Sequence, residues 1–268
     1  PAIGTTSLGV AVAHGKPDAA AATRAETLAL ARGMARLPVL VTVDIEGGFG
    51  AGPDRIGELA AELVDAGVAG VNIEDGRPDG TLTDPAHQCE LITAVRQAAP
   101  ALFVNARTDT YWLGVADGNP RTETLRRAEA YVAAGADGVF VPSLPDDRAT
   151  AEAVKHIDAP LNVLYAPDRH TLGRLADLGV ARVSCGSLLF RAALHSAVEL
   201  ACAIAADTEP TGQTAGIPTY AEVQGLADLT TASAAADLTA ASAAADPTAA
   251  SAAAESSAPT RPPTPPGR

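Results

Sequence analysis

Three segments of this chain, DAGVAGVNI (65–73), AAGADGVFV (133–141) and DLGVARVSC (177–185), spell the same junction: a helix end, a glycine, a short turn and a buried strand. That junction belongs to a βαβ chain, in which each strand returns parallel to its predecessor through a right-handed crossover. Around the junctions, short β-branched runs alternate with longer helical patterns. Residues 2–7 (AIGTTS), 38–44, 70–74, 102–107, 138–141, 161–165 and 182–186 read as strands. Each is apolar almost throughout rather than alternating, as parallel strands covered on both faces require. Helix starts are marked as well: Thr23 and Glu26 have capping-box spacing, and Asp84-Pro85 is an N-cap followed by a first-turn proline. Ile56, Leu59, Leu63 and Val64 lie on one helical stripe that stops at Gly67, where a left-handed C-cap suits glycine. Units of this kind close into a barrel or spread into a doubly wound sheet, and the pattern favours the barrel.

Hydrophobic residues make up 47% of the chain but aromatics only 3%, so the core must be built from Ala, Val, Leu and Ile, the usual filling between helices and a sheet. The barrel is expected over residues 1–226. Residues 227–268 read as a tail, in which DLTTASAAA, DLTAASAAA and DPTAASAAA follow one another before a proline-rich end; with no apolar face, a flexible extension is expected. A net charge of -13 repels phosphate backbones and anionic lipid, which argues against nucleic-acid or membrane partners and leaves small anionic substrates dependent on a local cation. Cys89, Cys185 and Cys202 show neither CxxC spacing nor an even count, which fits a reducing compartment, by default the cytoplasm. Neither an uninterrupted 18-residue apolar run nor a charged-then-apolar leader is visible.

In a parallel β/α barrel the functional side chains project from the C-terminal strand ends. VDIEGGFG (43–50), VNIEDG (71–76) and VNARTD (104–109) place Asp44, Glu46, Glu74 and Arg107 there. Asp44 and Glu46 are two residues apart and face the same way if the strand stays extended, with Glu74 on the neighbouring strand. These carboxylates repel one another unless a cation lies between them, and hard oxygen donors suggest Mg2+ or Mn2+ with waters completing the shell. Arg107 ends an apolar strand, so its guanidinium needs an anion: a substrate carboxylate, a barrel acid such as Glu74, or both. Asn105 faces the same way and either orients substrate or satisfies backbone groups. Asp75 reads as a helix cap, and Asp109 stays outside the set. Gly47, Gly48 and Gly50 match neither GxGxxG nor a P-loop, and suit close backbone approach to a metal or substrate. Thr5, Thr6 and Ser7 end the first strand and offer hydroxyl and backbone contacts. The lysines, Lys16 and Lys155, lie on no predicted strand, which disfavours a Schiff-base enzyme; the five histidines show no metal-ligand spacing.

TTSLGVAVAHGKPDA, VTVDIEGGFG, GVNIEDG, LFVNARTD and AGADGVFVP, in this order over about residues 2–205, resemble the isocitrate lyase/phosphoenolpyruvate mutase superfamily. The resemblance implies a (β/α)8 barrel, typically tetrameric, using Mg2+ to stabilise the enolate of a 2-oxo acid. It also implies that Asp44 is the direct metal ligand, Glu46 and Glu74 belong to a water-mediated shell, Arg107 binds substrate, Asp18 stands near the reacting group, and Thr6 and Ser7 hold the substrate carboxylate. Two departures narrow it. GRPDGTLT (76–83) replaces the lyases' Lys-Lys-Cys-Gly-His loop, and the mutases' Lys-Thr-Asn-Ser type gating loop and later histidine, near Pro142, are missing too. The family's first strand and helix would precede residue 1, so the expectation is a barrel lacking its first βα unit. The expected function is a Mg2+-dependent lyase or decarboxylase acting on a small 2-oxo or 2-hydroxy di- or tricarboxylic acid. Carbon–phosphorus mutase or hydrolase chemistry and a catalytically inactive binding protein are the alternatives.

Overall fold

The computed structural model describes residues 2–114, 119–209, 214 and 216–226; the expected tail, 227–268, lies outside the described residues. Among these, every expected strand forms: β1 (Ala2–Gly4), β2 (Leu40–Asp44), β3 (Gly70–Glu74), β4 (Phe103–Arg107), β5 (Gly138–Val141), β6 (Leu161–Leu164) and β7 (Arg182–Ser184). They make one parallel sheet in the order β1-β2-β3-β4-β5-β6-β7, so each strand pairs with the next in sequence. A sheet wound in one direction curls, and Arg182 on β7 donates from Nη2 to Thr42 Oγ1 on β2 at 3.1 Å across its inside. The architecture is therefore the curled sheet of a β/α barrel, open between β1 and β7 among the described residues.

The helices are α1 (Ser7–Ala13), α2 (Arg24–Met34), α3 (Pro53–Asp65), α4 (Pro85–Ala98), α5 (Pro120–Ala133), α6 (Asp147–His156), α7 (Leu172–Asp177) and α8 (Leu188–Ala205). Asp84 caps α4 as its Asx-Pro sequence predicts, its Oδ1 accepting from the Ala86 and His87 N–H groups. α3 buries Ile56, Leu59 and Leu63, and ends on Gly67 at φ +86°, a conformation glycine adopts without strain. Val64 is exposed, however, because the covered stripe ends one residue earlier than its apolar spacing suggests. Two apolar clusters fill the sheet–helix layer: Val41, Val43, Val71, Ile73 and Val104 with α3 and α4, and Val139, Val141, Leu161 and Val163 with Leu175.

Several strands are shorter than the sequence reading by one to three residues, and one expected helix cap is made differently. β1 stops at Gly4 and Ser7 already opens α1, because the Thr5 hydroxyl accepts the Asp44 N–H at 2.9 Å and turns the chain out of the sheet. Thr23 precedes α2, but its hydroxyl makes no cap bond there and donates elsewhere. α8 has no buried residue, and its 18 residues reach the length and mean hydropathy, 1.6, of a membrane-crossing helix. Arg191, His195 and Glu199 interrupt the run, which is why the sequence shows no uninterrupted apolar stretch there. Residues 218–226 belong to a separate unit, with a short helix, α9 (Tyr220–Gly225), opened by a reciprocal capping box between Thr219 and Glu222.

Candidate active site

The C-terminal strand ends open on one cavity of about 510 Å3. The turn after β1 contributes Thr5 and Thr6, the start of α1 Ser7, β2 Asp44, β3 Asn72 and Glu74, β4 Arg107, β5 Phe140, the residue after β6 Tyr165 and β7 Ser184; Asp18 reaches the wall from the loop after α1. Parallel register explains the centre: Glu74 and Arg107 are direct neighbours on β3 and β4.

Arg107 is the anchor. Nη1 lies 2.5 Å from Glu74 Oε2 and Nε 2.7 Å from Asp109 Oδ1, and its guanidinium stands 5.9 Å from the Trp112 ring centre and 5.6 Å from that of Phe140. Burial works against the guanidinium's charge, but Glu74, Asp109 and Asp44 outweigh it and keep Arg107 protonated. The acids respond oppositely. Burial pushes the Asp44 carboxyl up and Asp18 adds repulsion, while Arg107 and the N–H groups of Glu46 and Ser7 pull it back. Glu74 is raised well above the usual range, by burial first and then by Asp44, despite its bond to Arg107. The pocket therefore gathers more carboxyl groups than Arg107 can pair with.

Glu46 departs from the extended-strand expectation. β2 ends at Asp44, and Glu46 sits at φ +51°, a left-handed conformation unusual for a side-chain-bearing residue. Its carboxylate turns to the loop after α1: Oε2 accepts the Ala21 N–H at 2.9 Å and Oε1 the Thr23 hydroxyl at 3.0 Å. Glu46 thus secures the loop that carries Asp18, and it lines a second cavity of about 360 Å3 rather than the first. Asn105 does not reach the cavity either; its Nδ2 donates to Asn72 Oδ1 at 2.8 Å, and Asn72 is the amide on the wall.

Asp75 and Asp109, set aside in the sequence, are structural parts of the site. Asp75 is fully buried and accepts the Asp109 N–H at 2.8 Å, Arg127 Nη1 at 3.0 Å and the Tyr131 hydroxyl at 2.7 Å. Arg127 also donates to the Thr83 carbonyl at 2.8 Å, joining α5 to the end of the loop after β3. Asp109 in turn receives Arg107. The partners of Asp75 lie 52 and 56 residues away, so no local motif could have shown them. Among the described residues, no three His, Cys, Asp or Glu side chains gather as a ready-made metal-ligand set.

A curled parallel sheet with an acid-rich, arginine-anchored cavity at its strand ends defines a β/α-barrel enzyme. The chain belongs to the phosphoenolpyruvate phosphomutase family, which its residues 1–205 match, and so to the lyases and mutases of the isocitrate lyase/phosphoenolpyruvate mutase superfamily. It is 47% identical over 204 residues to Uncharacterized protein Rv1998c of Mycobacterium tuberculosis (strain ATCC 25618 / H37Rv), covering 76% of either chain. It is 35% identical over 159 residues to 2-methylisocitrate lyase of Bacillus subtilis (strain 168), a match covering 55% of this chain and half of that one. The crystal structure of a candidate lyase/mutase from Burkholderia cenocepacia J2315 superposes with a TM-score of 0.74 at 32% identity, covering 84% of this chain and 83% of that one.

Proposed function

We propose that the chain is a Mg2+-dependent lyase or decarboxylase of a small 2-oxo or 2-hydroxy di- or tricarboxylic acid. The observation that carries this reading is the divided charge of the cavity: a buried, permanently protonated Arg107 beside carboxyls that burial and mutual repulsion push up. Asp44 and Glu74 are all-oxygen donors in excess of the cation present, which fits a hard divalent ion held largely through water rather than in a closed protein cage. Asp44 would hold it directly, with Glu74 reaching it through water, whereas Glu46, turned to Ala21 and Thr23, would act only by securing the loop that carries Asp18; when bound, the ion would supply Lewis-acid stabilisation of a developing enolate.

The chain's own residues supply binding and orientation. Arg107, fixed by Glu74 and Asp109, presents its remaining N–H groups to a substrate carboxylate, and the Thr6 and Ser7 segment lines the same cavity with its hydroxyls. Asp18 lines the same cavity as Arg107, where an acid can accept or return a proton. The free thiols of Cys89, Cys185 and Cys202 fit a cytoplasmic enzyme, and the uncovered apolar side chains of α8 fit self-association as a homotetramer, which sedimentation would reveal.

The test is Mg2+-dependent release of pyruvate or glyoxylate from oxaloacetate, methylisocitrate or dimethylmalate. Asp44→Ala should abolish it, and activity that survives both this change and EDTA refutes the mechanism. Because the family match is to a phosphomutase, phosphonopyruvate belongs in the same assay; conversion to phosphoenolpyruvate or phosphate release would make carbon–phosphorus chemistry the function.

A further inference from the structure

The cavity wall carries a guanidinium for which the site described above has no use. Arg77, in the segment that follows β3, lines both the 510 Å3 cavity and the 360 Å3 one, which share Glu74, Gly76 and Arg77. The segment is a tight turn bonded to itself. The Gly80 N–H donates to the Arg77 carbonyl at 3.0 Å, the Arg77 N–H donates to the Thr81 carbonyl at 2.9 Å, and Gly76 bridges Leu82. The nearby acid, Asp79, is spent within the turn: its Oδ1 accepts the Thr81 N–H at 3.0 Å and the Thr81 hydroxyl at 2.5 Å. Arg107 is held by two acids, whereas Arg77 makes no ion pair with any described residue.

We propose that Arg77 binds the second, distal carboxylate of the substrate and so makes this cavity selective for small dicarboxylates over monocarboxylates. A carboxylate anchored on Arg107 leaves the rest of the molecule inside the cavity. There a second anionic group is repelled by Asp18 and Asp44 on the same wall, and Arg77 is a cation without an ion pair among the described residues, its backbone held by the turn and its charge shared only at longer range with Asp79. The other guanidinium of the mouth, Arg191 on α8, already donates from Nε to Ser187 Oγ at 3.3 Å. The inference rests on the proposed function for its substrate class, but binding reads it without turnover.

L-Malate and L-lactate share a 2-hydroxycarboxylate head and differ in the distal carboxylate. Calorimetric titration of the full chain with each, in Mg2+, should show malate bound more tightly. Arg77→Gln should then weaken malate about tenfold, the loss expected for one charge-assisted contact in a partly solvated site, and leave lactate unchanged. Arg77→Lys should recover part of the loss. Equal weakening of both acids, no weakening of either, or a malate-selective loss in Arg191→Gln with Arg77→Gln silent would overturn the assignment, as would a wild-type chain indifferent to the distal carboxylate. Malate-selective binding lost in Arg77→Gln, in a protein that cleaves none of the acids named above, would support the assignment and refute the lyase reading alone.

Discussion

Tyr131→Phe and Asp75→Asn probe the buried network beneath Arg107. Burial and the Asp75 carboxylate push the Tyr131 hydroxyl up, so it remains a protonated donor throughout the accessible pH range. Replacing it with Phe keeps the ring in the core but removes the 2.7 Å bond to Asp75 and the acceptor for Arg127 Nη1 at 3.0 Å. A bond to a charged group is worth roughly 1.5–3 kcal/mol and a neutral one about 1 kcal/mol, and because Asp75 keeps two other donors the expected loss is about 2–3 kcal/mol. Asp75→Asn goes further. It strips one of two carboxylates from Arg127, whose side chain is only 7% exposed; Glu123 still accepts from its Nε at 2.7 Å, so the expected cost is about 3 kcal/mol, the low end for breaking a buried pair. Asn also turns one of its two polar positions into a donor facing Arg127 and Tyr131. Urea denaturation at neutral pH should show both losses as lowered midpoints with unchanged slopes. A loss below about 0.5 kcal/mol in either variant would refute the claim that this network holds the ends of β3 and β4 together, because that is the range of an ordinary surface change.

The remaining predictions concern close approach and charge. A Cβ at Gly76 would lie 2.2 Å from Asp109 Oδ2, so Gly76→Ala must displace the carboxylate that orients Arg107; KM should rise at least about tenfold, and unchanged steady-state kinetics would show that Asp109 is dispensable. Hydrogen bonds from Arg126 and Arg127 hold the Glu123 carboxyl below its usual value. Its folded value lies below the unfolded one, so its stabilisation is present above the unfolded value and disappears as pH falls through the folded one. Glu123→Gln should therefore cost about 0.5–1 kcal/mol near neutral pH, small because the group is partly exposed, and almost nothing in strong acid; a cost independent of pH would place the effect in packing instead.

The strands were legible because a parallel sheet covered on both faces leaves continuous apolar runs, and the helix–Gly–strand junctions fix their order. What failed were inferences that assumed a regular backbone or a local partner. Glu46 was placed beside Asp44 by the two-residue period of a strand, but the strand ends at Asp44 and a left-handed turn sends the carboxylate to Ala21 and Thr23. Thr23 has the spacing of a helix cap, yet its hydroxyl is taken by a carboxylate 23 residues away. The pairing of Arg107 with Glu74 could be anticipated because register makes them neighbours, whereas the pairing with Asp109 could not.

The consequence is a redistribution of charge that alters what the site needs. As a sequence, the strand ends look like three acids awaiting a metal and one arginine awaiting a carboxylate. In three dimensions Glu74 and Asp109 are both given to Arg107, and Glu46 is given to the Asp18 loop, which leaves Asp44 and Asp18 as the acids on the cavity wall without an ion pair to a described residue. An arginine shared by two acids is rigid but its single charge is already answered, so it orients one carboxylate by its remaining N–H groups and draws a second one weakly. Capture of a dianion therefore falls to a cation outside that cluster, and Arg77 is the guanidinium that the turn after β3 holds free for it.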